Sequence, residues 1–113
     1  MKDLGVKKVN KEEKNQIPAY MVAFVRVEDQ ETFNRIYLEK SVKIVEKYQG
    51  VTVAVADNPP PLEGTLPQGR LVILQFPSLE HAQGFYNDPD YQPLKKARMQ
   101  ISQSDSAVFE RGF

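Results

Sequence analysis

Arg26, Arg70 and Arg98 are spaced along this chain where a guanidinium could grip an anionic ligand, because it offers two parallel N–H donors to a carboxylate. Each also has a structural alternative. For Arg98 the preferred reading is a pair with Asp105 that holds the last helix against the last strand, since buried charges need partners. Arg70 is more open, because it begins a strand beside a loop. Tyr20, Tyr86 and Tyr91 could meet a ligand oxygen through their hydroxyls. Aromatic residues at such spacings otherwise serve the core, with only the hydroxyl reaching a partner. Asp105 is a lone acid, placed either at a pocket edge or at a helix-to-strand junction.

Other chemistries find no support. His81 is the only histidine, sits one turn into a helix and reads as a solvated surface residue. No further ligands stand at metal or haem spacing, so neither a metal nor another cofactor is expected. The chain has no cysteine, which removes disulfides, thiol nucleophiles and thiolate metal sites. No Gly-rich phosphate loop or Ser/His/Asp set is present. The catalytic residues are therefore unassigned, and enzyme and binding module both stay open.

The elements that must position these side chains follow from periodicity. Ala19–Val27 reads as a strand, with Tyr20, Val22, Phe24 and Arg26 on one face and Met21, Ala23, Val25 and Val27 on the other. A helix follows from the N-cap Asp29 to about Tyr48, with Gly50 at the left-handed stop position. Val51–Ala56 alternates strictly, which puts Val51, Val53 and Val55 together against the helix layer and small side chains opposite. Pro59-Pro60-Pro61 forces a loop, and Leu62–Leu66 could add a short edge segment. Arg70–Phe76 is a third strand. Ser78 caps a helix that Asn87-Asp88-Pro89 breaks, a second helical piece runs from about Asp90 to Gln100, and Ser104–Arg111 is the last strand.

The order β-α-β-β-α-β predicts an α+β, ferredoxin-like fold: a four-stranded antiparallel sheet with two helices on one face. Val22, Phe24, Leu71, Ile73 and Val108 are then expected on the uncovered face. A monomer seldom exposes an apolar face of that size, so a homodimer is expected. Residues 1–16 carry five lysines, three acids and few apolar side chains. They read as a flexible arm preceding a domain over 17–113, with docking of a partner as the functional alternative.

Fifteen basic and fifteen acidic residues give a net charge of zero. Nucleic-acid binding rests on neutralising phosphates and usually needs a basic excess, so no nucleic-acid partner is expected. No apolar run approaches the roughly 18–20 residues of a membrane span, and the first residues lack an apolar signal core. No membrane association and a cytoplasmic location are the expectations.

The core also resembles the domain of unknown function 1330 family, a branch of the dimeric α+β barrel superfamily. The ordered pieces are Pro18-Ala19-Tyr20, Val27 with Asp29, and Leu62-Glu63-Gly64. Arg70-Leu71-Val72-Ile73-Leu74 with Phe76-Pro77-Ser78 follows, then Phe85-Tyr86 with Asp88-Pro89-Asp90-Tyr91, then Arg98 and Ser104-Asp105. The resemblance spans about residues 17–112. It implies a ferredoxin-like subunit, a two-fold dimer and a pocket between sheet and helices, without an established reaction. The superfamily includes cofactor-free monooxygenases, small isomerases and haem-degrading enzymes, and fold alone does not choose among them.

Two departures from the family pattern add Phe24 and Gln75 to the candidate positions. Relatives often carry a polar residue where Phe24 stands and Glu where Gln75 stands, and the resemblance points both into the barrel. An amide cannot replace a carboxylate as general base. The Pro-rich loop is also shorter than the usual connection. Two functions follow as expectations. One is a pocket for a small acidic or aromatic molecule, with oxygenase- or isomerase-like chemistry and no cofactor. The other is a non-catalytic dimer whose interior is filled by side chains.

Overall fold

A computed structural model describes residues 16–113. The expected arm over residues 1–16 lies, apart from Gln16, outside the described residues. Four strands, β1 (Ala19–Val27), β2 (Val51–Asp57), β3 (Arg70–Phe76) and β4 (Ser102–Glu110), form one sheet in the order β2-β3-β1-β4. Every neighbouring pair is antiparallel. Between β1 and β2 the chain runs through α1 (Gln30–Phe33), a π-helical stretch over Asn34–Leu38, and α2 (Glu39–Lys47). α3 (Leu79–Asn87) and α4 (Tyr91–Ile101) connect β3 to β4. This is the ferredoxin-like α+β fold that the pattern of the sequence predicts.

Caps begin the helices where the sequence places them. Asp29 accepts from the Thr32 amide at 3.1 Å and from the Thr32 hydroxyl at 2.7 Å, and these bonds hold its carboxyl below the usual range. Ser78 accepts from the His81 amide at 3.1 Å. The stop of α2 differs from expectation. Gln49, with φ 62°, takes the left-handed conformation, while Gly50 is needed for space. A Cβ there would stand 2.6 Å from the Phe76 ring and 2.7 Å from Val45.

The core sits between the helices and one sheet face. Ala19, Phe76, Ala82, Phe85 and Tyr91 are buried together, with Met21, Tyr37, Ile44, Val45, Tyr48, Leu74, Leu79 and Leu94 packed around them. Directly opposed residues in antiparallel strands share a face, so the register sorts the side chains. Met21, Ala23 and Val25 belong to the helix side, with Leu74, Val72 and Arg70 on β3. Tyr20, Val22 and Phe24 belong to the open side, with Gln75, Ile73 and Leu71.

Three expectations need correction. Val108 opposes Met21 and therefore lies on the helix side, not the open face. The strict alternation of β2 fails, because a bulge between Thr52 and Ala54 shifts the register by one residue. Val51 consequently opposes Gln75 on the open side while Val55 opposes Val72 on the helix side, and all three valines stay about half-exposed at the sheet edge. Leu62–Leu66 forms no strand. It belongs to a loop whose ends are tied by Asn58 and Gly69, which bond at 3.1 Å and 2.9 Å.

Candidate functional site

The register that builds the core also leaves a hollow beside it. Across the helix side of the sheet, one row reads Asp57, Arg70, Val25, Ser104, and the next reads Val55, Val72, Ala23, Ser106. Toward the buried end come Thr52, Leu74, Met21 and Val108, then Phe76 and Ala19. Large side chains close the sheet–helix space at the Phe76 end, and small ones leave it open at the other. The result is a cavity of about 770 Å3 between sheet and helices. Apolar side chains including Phe33, Val42 and Val45 from the first helical run line it, together with Tyr86 and Tyr91 from the second pair.

Its polar pole is built around Arg98. This α4 residue donates from Nη1 to the Ser104 hydroxyl at 2.9 Å and lies 5.5 Å from the centre of the Tyr37 ring. The expected pair with Asp105 is not formed. Asp105 lies on the opposite face of β4, opposing Phe24, and its carboxylate accepts from Arg26 at 2.8 Å. Among the described residues Arg98 has no carboxylate partner, and its Nε is buried without an acceptor. Burial is the largest influence on its pKa and works against the charge. Tyr91 and Tyr37 raise the pKa above the ordinary guanidinium value chiefly as phenolates, at alkaline pH, so near neutral pH, where both are protonated, they do not neutralise the guanidinium.

The hydroxyls of Tyr37 and Tyr91 are 2.6 Å apart. Burial, then the neighbouring Tyr37, pushes the Tyr91 phenol well above the usual tyrosine value, so it stays protonated across the physiological range. The π-helical stretch Asn34–Leu38 carries Tyr37 into this position. π-helical turns are rare and often occur at functional sites. At the far end of the cavity Arg70 holds Asp57 through bonds of 2.7 Å and 3.4 Å, and this pairing raises the guanidinium pKa. That end is polar but charge-balanced.

The residues singled out from the sequence divide between two places. Arg70, Tyr86, Tyr91 and Arg98 line the cavity, and Arg26 touches its rim while bonding the Gln68 carbonyl at 2.6 Å. Tyr20, Phe24, Gln75 and Asp105 sit on the open side of the sheet, where Tyr20 packs 5.9 Å from Phe109. Sequence reasoning missed Tyr37, Ser104, Ser106 and Asp57. For the serines a signal was present: Ser102, Ser104 and Ser106 recur with period two along β4, marking one face of that strand as small and polar. Tyr37 gave no such signal, because it reads as one more member of the apolar stripe of its helix. His81 is half-buried, with its Nδ1 2.6 Å from the Ser78 hydroxyl.

The joint between α3 and α4 positions Tyr86 and Tyr91. Asp88 is 2% exposed. Its Oδ2 accepts from Lys47 Nζ at 2.8 Å and from the Tyr48 hydroxyl at 2.6 Å, and its Oδ1 accepts from the Asp90 amide at 2.8 Å. Gly84 lets the Tyr48 ring lie against α3, since a Cβ would stand 2.6 Å from that ring. The bond from Lys47, then that from Tyr48, lowers the Asp88 pKa from 3.8 to about 2. A depressed carboxyl pKa stabilises the fold above the unfolded value, near 4, and this contribution is lost as pH falls through the folded value. Asp88→Asn should therefore lower the thermal midpoint at neutral pH, and the gap from the unsubstituted protein should close between about pH 4 and about pH 2. Thermal denaturation across that range checks it, and a gap that persists at the acid end would show that charge is not what Asp88 contributes.

No helix among the described residues is long and apolar enough to cross a membrane. The family described as Domain of unknown function (DUF1330) matches residues 18–111. No functionally curated protein matches the chain. Among solved structures, a protein of unknown function from Rhodopseudomonas palustris superposes with a TM-score of 0.66 at 18% identity, covering 89% of this chain and 87% of that one. SnoaB, a cofactor-independent oxygenase from Streptomyces nogalater, gives 0.60 at 13% identity over 86% and 95%. A dimeric protein of unknown function and ferredoxin-like fold from Bacteroides fragilis gives 0.54 at 12% over 83% and 96%. At these identities the likeness concerns the fold.

Proposed function

We propose that this chain, which belongs to the DUF1330 family, binds a small organic molecule of acidic or aromatic character in the cavity between its sheet and its helices. One observation carries the reading. Arg98 is a half-buried cation beside a cavity of about 770 Å3 walled by apolar and aromatic side chains, and it has no carboxylate partner among the described residues. A buried charge costs stability unless something pairs with it, and an anionic ligand would be that partner. Concave, largely apolar spaces with a few convergent polar groups are where small molecules bind.

The same arrangement suits oxygenase- or isomerase-like chemistry without a cofactor, because such reactions pass through a substrate anion that a fixed cation and hydroxyls would stabilise. The fold shared with a cofactor-independent oxygenase supports this finer reading. The alternative, a non-catalytic dimer with a filled interior, requires no space larger than a few waters, and the cavity weighs against it.

A second copy of the chain is the proposed cover for the open sheet face. Tyr20, Val22, Phe24, Leu71, Ile73, Val51 and Phe109 give it a broad apolar character, and a similar fold in Bacteroides fragilis is dimeric. Calorimetric titration with a panel of aromatic monocarboxylates and phenols tests the binding reading. Saturable one-to-one binding by members of the panel is expected. Heats no larger than those of matched neutral aromatics would overturn the role given to Arg98.

A further inference from the structure

The cavity crosses the full width of the sheet, and its two ends differ in charge. Asp57 on β2, Arg70 on β3, Val25 on β1 and Ser104 on β4 form one row across the four strands, and all four line the cavity. Arg70 and Ser104 both oppose Val25, so their backbones stand two strand spacings apart, about 10 Å. The stretch between them is apolar. Val25, Ala23 and Val72 supply it from the sheet, and Val42 and Val45 of α2 line the same space. A space of roughly 150 Å3 holds one benzene ring, so about 770 Å3 has room for two rings in line.

At the Ser104 end donors are in excess. Arg98 bonds the Ser104 hydroxyl, and no carboxylate balances it among the described residues. Tyr37 and Tyr91 share one bond between their hydroxyls, so whichever donates, the other's proton has no acceptor among the described residues. At the Arg70 end the charges cancel. Arg70 bonds Asp57 at 2.7 Å and 3.4 Å, and both side chains reach solvent. A ligand carboxylate there would meet Asp57 and no surplus cation, whereas a hydroxyl can donate to Asp57 and accept from Arg70. The other charges lining the cavity are Arg26, paired with Asp105, and Glu46, which is exposed on α2. We infer that the ligand is elongated and lies across the strands, with one anionic group at Arg98 and a neutral hydroxyl or amide about 10 Å away at the Asp57–Arg70 pair. The inference rests on the reading of this cavity as a ligand site.

The test is calorimetric titration of the full chain with biphenyl-4-carboxylate and with the same acid carrying a hydroxyl at the far para position. That hydroxyl lies at the required distance from the carboxylate, whereas the hydroxyl of 4-hydroxybenzoate falls short. On the biphenyl acid the hydroxyl should raise affinity about three- to tenfold, the range of a net hydrogen bond. On benzoate it should add nothing. Asp57→Ala should erase the gain. The same substitution leaves Arg70 without its carboxylate, so the biphenyl acid with a carboxylate at each end should bind the variant about fivefold more tightly than it binds the unsubstituted protein. Damage to the fold would not produce such a gain. If biphenyl-4-carboxylate binds but the hydroxyl adds nothing, or if Asp57→Ala changes neither the hydroxyl nor the dicarboxylate, the two-ended ligand is overturned and the cavity reading stands. Failure of every biphenyl acid to bind overturns both.

Discussion

Arg98→Met should cost about 10- to 100-fold in affinity for an aromatic monoanion, the range expected for hydrogen bonds to a charged group. The same substitution should leave the unliganded protein at least as stable as before. Methionine fills most of the guanidinium's volume, and it removes a half-buried charge that no carboxylate balances among the described residues. Replacing buried ions by apolar side chains of similar size is often neutral or stabilising. Lost binding with retained stability is the pattern of a group kept for function. Calorimetry and thermal denaturation on the same preparation read both halves. A large drop in thermal midpoint with affinity unchanged would identify Arg98 as a structural residue tied to Ser104.

Ile73→Asp should convert a dimer to a monomer. Ile73 opposes Val22 on one neighbouring strand and Ala54 on the other, which places it in the middle of the open face. A carboxylate there would have to be desolvated against apolar side chains when the second copy docks. Loss of a central contact typically weakens association by about 2 kcal/mol or more, roughly 30-fold in dissociation constant. Light scattering after size exclusion, at matched concentrations, should show the mass fall from two chains to one. An unchanged mass would remove this face as the interface.

The fold was legible because its signals are local and mutually consistent. Asp29 and Ser78 announce helix starts, the prolines after Asn58 forbid a strand, and the alternation of β1 and β3 assigns two faces. The features that shape the site are different in kind. The bulge at Val53 depends on how β2 meets β3, and nothing in Val51–Ala56 announces it. The π-helical turn carrying Tyr37 reflects packing of the helix against its neighbours, and a periodicity of 3.6 conceals it. The partner of Arg98 also had to come from tertiary structure. Asp105 is close in sequence, but adjacent residues on a strand point to opposite faces, so Ser104 meets Arg98 and Asp105 meets Arg26. The same parity governs Tyr20, Phe24 and Gln75, which share the open side of the sheet rather than the cavity side.

Which side of the sheet takes the ligand is the central question, and amide chemical-shift mapping answers it most directly. Nitrogen-15-labelled protein titrated with 4-nitrophenolate should show saturable shifts at Ala23, Tyr37, Ser41, Ser104 and Ser106, all of which line the cavity, with Val22, Ile73 and Gln75 unaffected. Shifts centred on those three open-face residues, or none that saturate, would contradict the account.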